Sequence, residues 1–158
     1  MGLDMNLSKR TYIKNWDHQK AKEKHKITIK GPHAKTINPE RITYITEEVA
    51  YWRKANQIHQ WFVDNIQGGN DDCKEYFVSK EQLEELLSLI SDVIKSPAKA
   101  KKLLPVQPGF FFGTKGDNPE SNEEYDEFYY KDLVETQKTL EKLLKEPDTG
   151  DFYYQSSW

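Results

Sequence analysis

Tyr51-Trp52-Arg53-Lys54-Ala55-Asn56-Gln57-Ile58-His59-Gln60-Trp61-Phe62-Val63 is the stretch on which the reading of this chain turns. Wound as a helix with Trp52 at zero, Val49, Asn56, Val63, His59 and Ile66 fall at roughly +60°, +40°, +20°, −20° and −40°. The result is an apolar stripe interrupted by an amide and an imidazole. Thr46 stands where a helix is capped, and Glu47 and Glu48 suit a first turn, so the pattern predicts a helix over 46–66. A buried histidine or amide must find partners or cost stability. Asn56 and His59 therefore either knit a core network or line a pocket. Arg53, Gln57, Gln60 and Asp64 form a polar edge beside them at roughly +100°, +140°, +80° and +120°. Trp52, Arg53, Asn56, His59 and Gln60 are the candidate ligand-binding set, because indole, guanidinium, amide and imidazole together recognise planar or phosphorylated small molecules.

Outward from this segment, Leu3, Met5 and Leu7 alternate as in a short strand, and so does Lys26-Ile27-Thr28-Ile29-Lys30 before Gly31-Pro32. Arg41–Ile45 is β-branched and aromatic, a further short strand or an approach to the helix. Gly68-Gly69-Asn70-Asp71-Asp72 is a turn. Glu75–Val78 reads as a strand, and Ser79 with Gln82 forms a capping box for a helix over 80–95. Its stripe is Leu83, Leu86, Leu87, Ile90, Val93 and Ile94. Residues 97–121 read as loop around Phe110-Phe111-Phe112. Ser121 and Glu124 then open a helix over 122–145, stopped by Pro147 and Gly150. Phe152-Tyr153-Tyr154 is a closing strand or a docked tail. Helices and strands follow no βαβ rhythm. The expectation is one α+β domain over 1–158, three main helices packed with a small, mostly antiparallel sheet. A basic segment, 1–24, and an aromatic segment, 146–158, dock on it.

Composition is consistent with this. The apolar fraction is low at 36%, but 4 Trp, 9 Tyr and 7 Phe supply core area. One cysteine, Cys73, allows no internal disulfide. No apolar run approaches the ~20 residues of a membrane span, and the N-terminus lacks the pattern of a secretion signal. A cytoplasmic protein is expected. Charge is uneven about a net −3: residues 1–30 are rich in Lys and Arg, residues 117–127 in Asp and Glu.

The familiar chemistries find little support. His18, His25, His33, His59 and Cys73 show no zinc-site spacing. Gly68-Gly69 lacks the Lys-Ser/Thr of a phosphate loop. Cys73, beside the carboxylates of Asp71 and Asp72, is a poor candidate for a nucleophile and is most simply structural. Asp126 and Tyr130 are four apart on the last predicted helix, as are Glu123 and Glu127. Glu123, Asp126 and Glu127 are weak candidates for a divalent ion, against the plainer reading of an acidic first turn. Lysines interleaved with Tyr12 and Trp16 suit nucleic acid, but the overall acidity ranks it low. No cofactor is indicated. Trp61 projects away from the stripe and, with Phe152-Tyr153-Tyr154, is the expected seed of a homodimer interface.

Met1-Gly2-Leu3-Asp4-Met5, Tyr12-Ile13-Lys14-Asn15-Trp16, the Tyr51–Val63 stretch, Gly109-Phe110-Phe111-Phe112-Gly113 and Tyr125-Asp126-Glu127 resemble a family of small proteins encoded by bacteriophages and prophage-bearing bacteria. The resemblance spans most of the chain and carries a catalytic role onto none of its residues. It implies an accessory gene acting inside a bacterial host cell. The leading expectation is a phage-encoded, non-catalytic binding protein that acts on a host protein or sequesters a nucleotide-like small molecule. One alternative is a metal-dependent phosphoesterase or nuclease, with His59 as acid or base and Asp64 or Asp126 at the ion. Another is a purely structural or scaffold protein.

Overall fold

Alternating burial along Leu3, Met5 and Leu7 continues to Lys9, and this period of two defines the first strand, β1 (Asp4–Tyr12). The chain, a computed structural model described over residues 2–107 and 125–158, continues through β2 (Tyr44–Arg53), α1 (Asn56–Asn65), β3 (Tyr76–Val78) and α2 (Lys80–Lys95). The single turn α3 (Ala100–Leu103), α4 (Glu127–Leu143) and β4 (Asp151–Ser157) complete it. The strands form one sheet in the order β2-β1-β4-β3, antiparallel at every step. α1, α2 and α4 pack on one face of it around a single core of Leu3, Met5, Leu7, Phe62, Leu133 and Tyr154 with their neighbours. The fold is α+β, as expected. The two terminal segments are more than docked pieces: they supply the two inner strands.

The helix expected over 46–66 is half strand. Residues 44–53 pair with β1, Trp52 opposite Met5 and Ala50 opposite Leu7. The register then slips, so that Ser8 faces Glu48 and Val49 is an extra residue on β2. That bulge explains the misreading. A bulge shifts the inward face by one residue, so Val49, Ala50 and Trp52 all reach the core and mimic helical spacing. The β-branched and aromatic content of Tyr44, Ile45, Thr46, Val49, Tyr51 and Trp52 favours the strand. Lys54, in the left-handed region at φ 59°, ends it. Thr46, Glu47 and Glu48 therefore cap nothing; Glu47 lies opposite Lys9 across the ladder.

Other expectations fare unevenly. The Ser79–Gln82 capping box opens α2 as predicted. Asp126, accepting from the Tyr129 N–H at 2.9 Å, caps α4; Ser121, Glu124 and Phe110–Phe112 lie outside the described residues. Lys26–Lys30 is not a strand, since none of the described strands offers it a ladder. Gly150 leads into β4 where a Cβ would stand 2.7 Å from the Arg10 carbonyl oxygen, so the close approach of these chains requires glycine. Of the expected dimer seed, Trp61, Phe152 and Tyr154 are buried in the core, and Tyr153 is half-buried on the other face of the sheet.

Candidate functional site

His59 sits on the inner side of α1, 2% exposed. Both ring nitrogens are engaged. Nδ1 lies 2.7 Å from the Tyr154 hydroxyl and Nε2 lies 3.1 Å from Asp71 Oδ1. Burial pushes the Tyr154 phenol far above its ordinary value, so it keeps its proton. The simplest arrangement has the Tyr154 O–H donating to Nδ1 and Nε2–H donating to the Asp71 carboxylate. α1 is thereby fastened to β4 on one side and to the loop after α1 on the other.

That loop is fixed by its own bonds. Gly68 and Gly69, at φ 64° and 79°, turn it back under α1. The Asp72 carboxylate accepts from the Lys74 N–H at 3.0 Å and the Tyr76 hydroxyl at 3.1 Å. Burial acts to raise the Asp72 carboxyl, but these bonds and the Lys74 ammonium outweigh it and hold it below the usual range. The buried Gln67 donates to the carbonyls of Asn70 and Asp72. Gln155 of β4 donates to the Cys73 carbonyl at 2.9 Å.

A second polar cluster joins β2 to α4. Trp52 Nε1–H donates to Thr136 Oγ1 at 2.7 Å, and that hydroxyl donates to the Asp132 carbonyl at 2.7 Å. Burial pushes the Asp132 carboxyl up to about 6, the Gln57 amide acting the other way. The unfolded chain releases this proton near 3.8. The folded state thus holds the extra proton between these values, and stability falls as pH rises from about 4 to about 6, then levels off. Asp132→Asn removes that fall. With partial exposure screening the charge, the expected gain at pH 8 is about 1 kcal/mol and none at pH 4. Urea unfolding of both proteins across this range checks it.

The five candidate ligand residues are not drawn into one recess. Trp52 points into the core, while its neighbour Arg53 lies on the opposite face of β2, 3.9 Å from Asp4. Asn56 is half-buried in the first turn of α1. Gln60 is on the outer side of the helix and donates to Asp64 at 2.8 Å. A shallow recess lies elsewhere, lined by Lys9, Lys80, Leu143, Glu146, Pro147 and Phe152. Asp126 is occupied as a cap, Glu127 is exposed, and Glu123 lies outside the described residues. Among the described residues no group of three or more His, Cys, Asp or Glu side chains could hold a metal ion. None of their helices is long and apolar enough to cross a membrane.

Sequence reasoning found His59 but missed its partners. The alternation Phe152, Tyr154, Ser156 marks Tyr154 as inward-facing once β4 is known to be a strand. Asp71 had only the glycine turn to announce its return toward the helix.

The outer face of the sheet is different in character. No described helix covers it. Tyr51 is 51% exposed and Phe77 56%; Phe77 meets the edge of Tyr153, over which Arg10 lies at 4.3 Å. Tyr12 and Tyr44, a cross-strand pair 5.1 Å apart, extend the same face. Its two arginines are matched, Arg10 with Glu75 at 2.9 Å and Arg53 with Asp4, while Glu48 and Asp151, opposite Ser8 and Arg10, add two further carboxylates.

No protein-family model, curated protein or solved structure matches this chain.

Proposed function

We propose that this chain is a phage-encoded, non-catalytic binding protein that acts on a host protein through the outer face of its sheet. The observation that carries this reading is the set of exposed rings there, Tyr12, Tyr44, Tyr51 and Phe77, on a face whose two arginines are already paired. Tyr and Phe beside Arg are what protein interfaces concentrate at their centres. A general acid or base must reach its substrate, and the nearly enclosed ring of His59 speaks against the hydrolase alternative. The separation of Trp52 from Arg53 across β2 speaks against a nucleotide sequestered by the five residues.

The test uses tagged chain expressed in a bacterial host. Tyr51→Ser with Phe77→Ser removes two half-exposed rings, with the Tyr51 hydrogen bond to Asp4 and the Phe77 contact with Tyr153, so melting should fall by only a few degrees. The expected result is a host protein retained in stoichiometric amount by the wild type and by a control, Glu84→Ala with Lys138→Ala on the helical side, and lost from the ring variant. Equal retention by all three, or a nucleotide that raises the melting temperature of the wild type by mass action, overturns the reading.

A further inference from the structure

Residues 13–43 join two adjacent antiparallel strands, a connection that ordinarily takes two to five residues. Excursions of this length are commonly functional when they are ordered. This one is ordered by local bonds. The Ile13 N–H donates to the Thr43 carbonyl at 2.9 Å and closes its base. Asn15 holds the His25 peptide from both sides at 2.7 Å, giving to its carbonyl and accepting from its N–H. Lys20 and Glu23 frame a short 3₁₀ turn, and Asn38 caps another. Of its side chains, only Ile13 is buried. The segment is an arm, not a part of the core.

Its charge is opposite to that of the rest of the molecule. The arm holds eight Lys and Arg against Asp17, Glu23 and Glu40, a net +5; the remaining residues hold 15 against 23, a net −8. Elsewhere Lys9, Arg10, Arg53, Lys74, Lys99 and Lys131 each have an acidic partner. Among the described residues none of the arm's eight cations does. The arm also presents an indole: Trp16 is 45% exposed, with Lys14 Nζ 4.2 Å from its ring centre. Tyr12 and Tyr44 are exposed at its root.

We infer that the arm binds single-stranded nucleic acid, its lysines against phosphates and Trp16 against a base. Unpaired cations supply affinity for any polyanion. The exposed ring among them is what selects a single strand, whose bases are free to stack. The net charge of the whole chain hides this surface, because the acids of the other residues outnumber the arm's excess of lysine and arginine. The proposal rests on the arm's lysines and Trp16, none of which belongs to the sheet face, and stands independently of that reading.

The test is fluorescence anisotropy of a short labelled oligothymidylate with the full chain, over a range of salt. Affinity should fall linearly on logarithmic axes with a slope of about −2 to −4, as for some three to six phosphates at about −0.7 each. Lys20→Gln, Lys22→Gln, Lys24→Gln and Lys26→Gln together should weaken binding tenfold or more and flatten the slope. Trp16→Ala should weaken it several-fold with the slope unchanged. Lys99→Gln with Lys101→Gln and Lys102→Gln, on the body, should leave it intact. Because the substituted side chains are exposed, unchanged melting temperatures confirm that each variant is folded. No binding at low salt overturns the proposal, as does equal loss from the body variant. Binding that ignores Trp16→Ala and is matched by an acidic polypeptide also overturns it, in favour of an acidic protein partner.

Discussion

Tyr154→Ala should cost about 3–5 kcal/mol, the largest loss expected from any single substitution proposed for this chain. Tyr154 is fully buried on an inner strand, paired with Leu7 on one side and Tyr76 on the other. Its ring stacks on Phe62 with centres 3.9 Å apart and planes nearly parallel. Truncation removes that contact, opens a cavity beside α1 and strips His59 Nδ1 of its partner. Domains of this kind are stable by only about 5–15 kcal/mol, and the loss corresponds to a fall of roughly 10–15 °C in melting temperature. Tyr154→Phe keeps the stack and loses only the hydroxyl, so it should cost about 1–2 kcal/mol. Urea unfolding of the three proteins measures both steps. A loss below about 1 kcal/mol for alanine would mean that the ring is not part of the cooperative core.

The contrast between what could and could not be read in advance has a physical basis. α2 was legible to the residue because its signals are local: a Ser79–Gln82 box, a regular leucine stripe and Pro97 beyond the end. β1 was legible from its alternation. β2 was not, because a bulge moved Val49 inward and gave a strand the spacing of a helix. That bulge exists only in relation to Ser8 and Leu7 on the neighbouring strand, about 40 residues away in sequence. For the same reason the candidate site was half legible. His59 in an apolar stripe is a local fact. Its engagement by Tyr154 and Asp71 is a fact of tertiary structure, as is the placing of Trp52 and Arg53 on opposite faces. The charged arm shows the reverse case. Its lysines were visible, but a whole-chain average hid them until the topology marked residues 13–43 as one excursion between β1 and β2.

His59→Ala separates the two roles that an inward-facing histidine can have. With both nitrogens bonded and the ring enclosed, truncation should cost about 2–3 kcal/mol, combining a cavity with an unpaired Tyr154 hydroxyl. In a chain of this length that lowers the melting temperature by roughly 5–10 °C. Arg53→Ala is the control. Its side chain is mostly exposed and its only ion pair among the described residues, to Asp4, is long at 3.9 Å; such a pair contributes less than about 0.5 kcal/mol. Asn56→Ala, half-buried at the start of α1, should fall between them. Because His59 and Tyr154 share one hydrogen bond, His59→Ala and Tyr154→Phe should be less than additive, with a coupling of about 1 kcal/mol in a double-mutant cycle. Additive losses would deny the bond. A melting temperature that holds or rises in His59→Ala, together with a nucleotide stabilising the wild type alone, would return the residue to a binding pocket, since sites trade stability for function. A steep loss, strong coupling to Tyr154 and indifference at Arg53 would instead leave His59 as the fastening between α1, β4 and the Asp71 loop, and leave recognition to the surfaces outside it.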